Sequence, residues 1–172
     1  MTTQYATFAD LVQYFGLTEI AGISTPDELM TPSAAAVRTI MDAGDEEIAW
    51  PEWITIGEQA AAQACIDRSN FALNVASKEI DSSVGVVYSL PLSPDALNQS
   101  MVVSVCCDLA RYFLYDDKVT QEVVDRAKGA REWLKSIVNG TTVLLGANAS
   151  TVTSSASTDI VVPASDWDIS RW

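Results

Sequence analysis

The chain has 172 residues, 48% of them hydrophobic and 19% charged, and its 23 carboxylates against ten Lys and Arg give a formal charge of −13. That length suits one core with an appendage, and the apolar content excludes a wholly disordered chain. The charge sets the average surface against phosphate backbones and anionic membranes, so sequestering nucleic acid is not expected, although an acidic wall suits DNA that must slide past without being held.

Near the N-terminus, Thr7 followed by Asp10 resembles a capping box, and Phe8, Leu11, Val12 and Phe15 fall on one helical face that Gly16 ends. Ser24-Thr25-Pro26-Asp27-Glu28 reads as a second helix start, with Pro near the first helical position and acids in the first turn. From Met30 to Ile56 the pattern is mixed and broken by Pro32 and Pro51. Only Ala34 to Met41 looks helical there, and the whole reads as an insertion or elaborated loop, about 22–56. Within it, Trp50-Pro51-Glu52-Trp53 offers two aromatic residues either to the core or to a protein partner, since Trp is both commonly buried and enriched at interfaces.

A long helical pattern runs from about Gly57 to Ser82, with Ala61, Cys65, Ala72, Val75, Ala76 and Ile80 on a broad face of small side chains. Val84 to Leu92, containing Tyr88 and Pro91, changes to an extended crossover with room for a short strand. Ser93-Pro94-Asp95 starts the next helix, and Leu97, Met101, Val105, Cys106, Leu109 and Phe113 extend it as a central core helix of roughly 30 Å. Arg111 stands three residues after Asp108 and four before Tyr115, so an ion pair and a stacking contact are available on its own helix, and Tyr112 extends the apolar belt. Asp116-Asp117-Lys118 breaks the pattern. Thr120 caps a further helix whose stripe is Val123, Ala127, Ala130, Leu134 and Ile137, with Trp133 beside it and Asn139-Gly140 as the stop. Thr141 to Gly146 suits a short strand or extended arm, and 147–158 is almost uncharged Ser, Thr and Ala. Ile160, Val161, Val162, Trp167 and Trp172 follow; such a segment has no core of its own and reads either as a disordered solvated tail or, the favoured reading given its apolar and Trp-bearing end, as a peptide that docks on a partner. The expected architecture is mainly α, a helical bundle over 1–146 with one or two short strands, and an extended arm over 147–172.

Candidate chemistry is sparse. Histidine is absent, which removes Ser-His-Asp and Cys-His arrangements and the commonest zinc ligand. No phosphate-loop or dinucleotide fingerprint occurs among the eight glycines. Asp42, Asp45, Glu46 and Glu47 lack the EF-hand pattern and read as a solvated acidic loop. Cys65, Cys106 and Cys107 lie inside apolar helical patterns and read as buried free thiols of a reducing compartment. No leader pattern and no membrane-length apolar run is visible. The chain is therefore not expected to be an enzyme, and no catalytic, metal or cofactor residue is assigned.

Four features in order resemble the Mu-like phage head-to-tail connector family: Tyr5-Ala6-Thr7 with Asp10-Leu11 and Phe15-Gly16; Ala76 with Glu79-Ile80-Asp81 leading to Tyr88-Ser89-Leu90-Pro91-Leu92; Asp108-Leu109-Ala110-Arg111-Tyr112 with Leu114-Tyr115; and Thr120 to Gly140 with Trp133-Leu134. The 22–56 segment and Ser83 to Val87 depart from the family pattern. The resemblance implies a structural protein of the virion neck, made in the bacterial host cytoplasm, whose helical subunits form a ring, commonly of about twelve copies, beneath the portal. It further implies a portal protein on one side, a tail-side neck protein on the other, DNA passing through the lumen without specific binding, and no membrane partner. On that resemblance Ile160, Val161, Val162, Trp167 and Trp172 are the portal-docking candidates. Arg111, Tyr112, Tyr115, Trp133, Tyr88 and Pro91 are candidates for packing helices or subunits, and Trp50 and Trp53 for other contacts. The rival expectation is a phage-encoded intracellular protein that binds a host or phage protein through Trp50, Trp53 and the terminal arm.

Overall fold

The computed structural model describes residues 4–44, 46–115 and 119–148, and among them the chain is a bundle of seven helices with no sheet. Helix α1 spans Phe8–Phe15 and opens on the expected capping box: the Thr7 hydroxyl accepts from the Asp10 N–H at 3.2 Å, and the Asp10 carboxylate accepts from the Thr7 N–H at 2.8 Å. Gly16, at φ 84, ends α1 and at once begins α2, Leu17–Ser24. Ser24 and Thr25 thus close a helix where the sequence pattern suggested that they open one. Their hydroxyls turn back to the carbonyls of Ile20 and Ala21, and Pro26 lies just beyond the helix end.

Helix α3, Ala34–Ala43, has Ser33 as its N-cap. The 22–56 segment is folded onto the bundle, since Ala36, Val37 and Ile54 are buried in the common core. The longest element is α4, Ile56–Val84, whose 29 residues span roughly 43 Å. Its small residues Ala61, Ala62, Ala72, Ala76 and Ser77 are all buried, which lets α2, α3, α6 and α7 approach closely.

The single helix expected from Ser93 to Phe113 is two: α5, Pro94–Gln99, and α6, Val102–Leu114. Ser100 adopts extended backbone (φ −124, ψ 171), and its hydroxyl accepts from the Val102 N–H at 3.4 Å, restarting the chain as a helix. α4, not the helix after Ser93, is therefore the central rod, and α6 spans only roughly 20 Å. Helix α6 lies antiparallel to α4: Cys106 meets Ser77 at 3.5 Å, while Phe113 and Leu114 lie beside Arg68 and Ala72. Helix α7, Gln121–Val138, runs back along α6 and is capped by Thr120 as expected.

Where short strands were anticipated, the chain instead makes an isolated bridge at Tyr88 and an extended return over 141–148. The buried Tyr88 hydroxyl accepts from the Leu144 N–H at 3.0 Å, and the Ser89 N–H donates to the Asn148 carbonyl at 3.0 Å. Gly146 is required here, because at φ 72 a Cβ would stand 3.1 Å from the Ala96 nitrogen. The Asp116-Asp117-Lys118 break lies outside the described residues.

Candidate interaction surfaces

Of the expected packing residues, Arg111 and Tyr115 meet at one cluster built on a buried cation. Arg111 of α6 is 7% exposed, donates through Nε and Nη2 to Glu19 Oε1 of α2, both at 2.6 Å, and lies with Nη1 3.6 Å from Glu122 Oε1 of α7. Its guanidinium carbon sits 4.6 Å from the ring centroid of Phe15 on α1. Burial pulls the guanidinium down, but the hydrogen bond and charge of Glu19 outweigh this and leave it above its ordinary value. One side chain thus ties four helices of the chain together.

The partners differ from those that spacing along α6 offered. Asp108 pairs at 3.7 Å with Arg126 of α7 rather than with Arg111, and burial nevertheless raises its carboxyl above the ordinary value, opposed by Arg126 and Arg111. The Tyr115 hydroxyl donates to Glu19 at 3.3 Å, sharing the acceptor that Arg111 holds. Tyr112 lies under Arg131, 5.0 Å from ring centroid to guanidinium carbon, and Arg131 also makes a two-point pair with Glu79 at 2.7 and 3.2 Å. Glu19, Glu79 and Arg131 were not among the sequence candidates, because their charged and hydroxyl partners, Glu19 with Arg111 and Tyr115 and Glu79 with Arg131, lie 52 to 96 residues apart and no local pattern couples them.

Other candidates separate by exposure. Trp133 and Trp50 are half-buried against the core, Tyr88 is buried, and Pro91 is exposed at the crossover. Trp53 is 64% exposed, so the Trp-Pro-Glu-Trp segment gives one ring to the core and the other to solvent. Trp53 has company: Met30 is 81% and Ile56 83% exposed, and the Ser33 N–H donates to Glu58 at 3.2 Å, tying their two segments together. A second apolar surface carries Phe71, 70% exposed, beside Arg68, Val75 and Phe113, and a third carries Met101, Val143 and Leu145 near Trp133. Ile160, Val161, Val162, Trp167 and Trp172 lie outside the described residues, as does Asp45 of the acidic loop. The three cysteines are buried and free; burial pushes the Cys106 thiol up to about 11 and raises Cys65 and Cys107 as well.

Residues 5–162 match the family model described as Bacteriophage Mu, Gp36. The chain belongs to that family. It is thus a phage protein of the Mu type, and the matched range takes in the 22–56 segment as well as the four features whose order suggested the relationship. No curated protein matches the chain. In this Gp36-family chain those features are largely internal: Tyr5 is buried with its N–H donating to Ser77 and its hydroxyl to Asp81, Leu109 and Ala110 are fully buried, and Leu134 is 2% exposed. Among the described residues, no helix is long and apolar enough to cross a membrane and no group of three acidic or cysteine side chains could hold a metal ion.

Proposed function

We propose that this Gp36-family protein is a head-to-tail adaptor of the virion, a subunit of a ring beneath the portal that joins the DNA-filled head to the tail. The observation that carries the reading is the presence, on a small acidic bundle of a Mu-type phage, of large apolar side chains exposed on separate surfaces: Met30 and Ile56, then Phe71, then Val143 at 68%. Surface apolar groups gathered this way mark protein contacts, and a joint has several partners to meet. The formal charge of −13 supports a lumen that lets DNA pass without holding it. In this reading Ile160, Val161, Val162, Trp167 and Trp172 dock on the portal, and the Arg111 cluster keeps each subunit rigid rather than touching DNA.

Reconstruction of the virion by electron microscopy tests the proposal. Density for the bundle in the neck is the expected result, and location in the capsid shell or the tail tube refutes it. The exposure of Trp53 also favours a second reading, a phage-encoded intracellular protein that captures a host or phage protein; mass spectrometry of purified virions separates the two, because that reading requires the chain to be absent from finished particles.

A further inference from the structure

Two of the exposed apolar surfaces carry opposite charge. Met30, Trp53 and Ile56 stand in a stretch where, between residues 27 and 52, seven carboxylates face the single base Arg38. Glu47 and Glu52 are among the exposed ones. On the other surface, positions 68, 72, 75, 79 and 83 recur at three and four, so that two clefts open along one stripe of α4. The first is flanked by Phe71 and Phe113, the second by Arg131, Lys135 and Val138 of α7. Lys78 lies exposed two turns beyond Phe71 on the same edge. Glu79 lines the second cleft too and is taken up by Arg131, which leaves Lys78 and Lys135 as exposed bases on the trough's rim in a chain of charge −13.

The two surfaces cannot meet within one molecule. The Met30 surface is tied to the start of α4 through Ser33 and Glu58, and the trough begins at Arg68, roughly 15 Å further along the same rigid rod, and continues from there to Ser83. Two distinct, complementary patches on one chain define a head-to-tail contact, which repeats from copy to copy and closes into a ring when the rotation allows. We infer that the α4 trough of each copy receives the Met30, Trp53 and Ile56 surface of the next, with Glu47 and Glu52 facing Lys78 and Lys135. This rests on the adaptor reading above and names the contact between its subunits.

Charge exchange tests it. Glu47→Lys with Glu52→Lys sets two bases against Lys78 and Lys135 of the next copy, and Lys78→Glu with Lys135→Glu sets two acids against Glu47 and Glu52. Each double variant alone is expected to lower the yield of infectious particles, and any self-association of the purified chain seen by sedimentation velocity, by at least about 100-fold through like-charge repulsion. Co-expression of the two variants restores both, because each then presents the surface that the other lacks. All four positions are exposed, so circular dichroism melts should match the parent; Phe71→Ser, also at an exposed site, gives an uncharged second test with the same expected loss. Normal particle yield from both double variants, or failure of the mixture to rescue, overturns the contact. If the bundle is seen in the neck and rescue still fails, only the contact falls. If the bundle is absent from the neck, the adaptor reading falls.

Discussion

Replacing Arg111 by Met keeps most of the apolar stem and deletes the charge at the junction of α1, α2, α6 and α7. The hydrogen-bonded pair to Glu19, at 2.6 Å from both Nε and Nη2, and the cation over the Phe15 ring at 4.6 Å are lost, together with the looser and mostly solvated approach to Glu122 at 3.6 Å. A hydrogen bond to a charged group contributes about 1.5–3 kcal/mol and a partly desolvated cation–π contact about 0.5–2 kcal/mol. The side chain of Glu19 is 31% exposed, so water recovers part of its solvation once the partner is gone. The expected cost is about 2–4 kcal/mol, or a fall in Tm on the order of 10 °C for a domain of this size. Urea unfolding of the wild type, Arg111→Met, Glu19→Gln and the double variant measures the coupling directly, with about 1–2 kcal/mol expected between the two sites. Additivity within about 0.5 kcal/mol would mean that the cluster is a solvated surface pair and that the helices are held by apolar packing alone.

Leu109→Ala removes a fully buried side chain and is expected to cost about 2–5 kcal/mol in denaturant midpoint analysis; a loss below about 0.5 kcal/mol would place that face outside the core. Asp108 has a raised carboxyl pKa, so the folded state holds its proton more tightly than the unfolded chain. The penalty for ionising it is fully present above the folded pKa and is relieved as pH falls through the ordinary carboxylate range. Thermal melts of Asp108→Asn should therefore lose that component of the pH dependence near the acid limb, and an unchanged difference between variant and parent across the range counts against it. With all three cysteines buried and their thiols raised, a thiol reagent at neutral pH should react with none in the native protein and all three after unfolding; rapid native labelling would contradict the burial.

What could be read from the residue order was local. The Thr7 and Thr120 caps, the α7 stripe and the extent of α4 to within about two residues follow from side chains that act over one or two turns. Gly16 misled because one glycine at positive φ serves two helices, leaving α2 unseen. Ser24-Thr25-Pro26 misled because Ser and Thr hydroxyls can serve either end of a helix. The apolar repeat ran unbroken through Met101, so nothing in its period revealed that Ser100 turns extended. For the candidate surfaces the limit is different in kind. Arg111 was singled out on its own helix, but its acceptor Glu19 is 92 residues away, and only the packing of α2 on α6 brings the two together. The trough of α4 was likewise invisible, since Phe71 lay outside the apolar face read for α4 and meets Phe113 only when α6 lies antiparallel beside it.

The return of the chain over 141–148 also determines where a pull on the chain past Asn148 would be felt. The Tyr88 hydroxyl, the Ser89 N–H and the Ser93 hydroxyl each fasten this return to the crossover, the last donating to the Gly146 carbonyl at 2.7 Å. Tension entering through Asn148 therefore reaches the end of α4 before it reaches α7, and it meets several bonds that share the load instead of a helix end that could unwind turn by turn. The longest rod of the bundle becomes the tie-bar, and tension applied past Asn148 is delivered to the whole bundle.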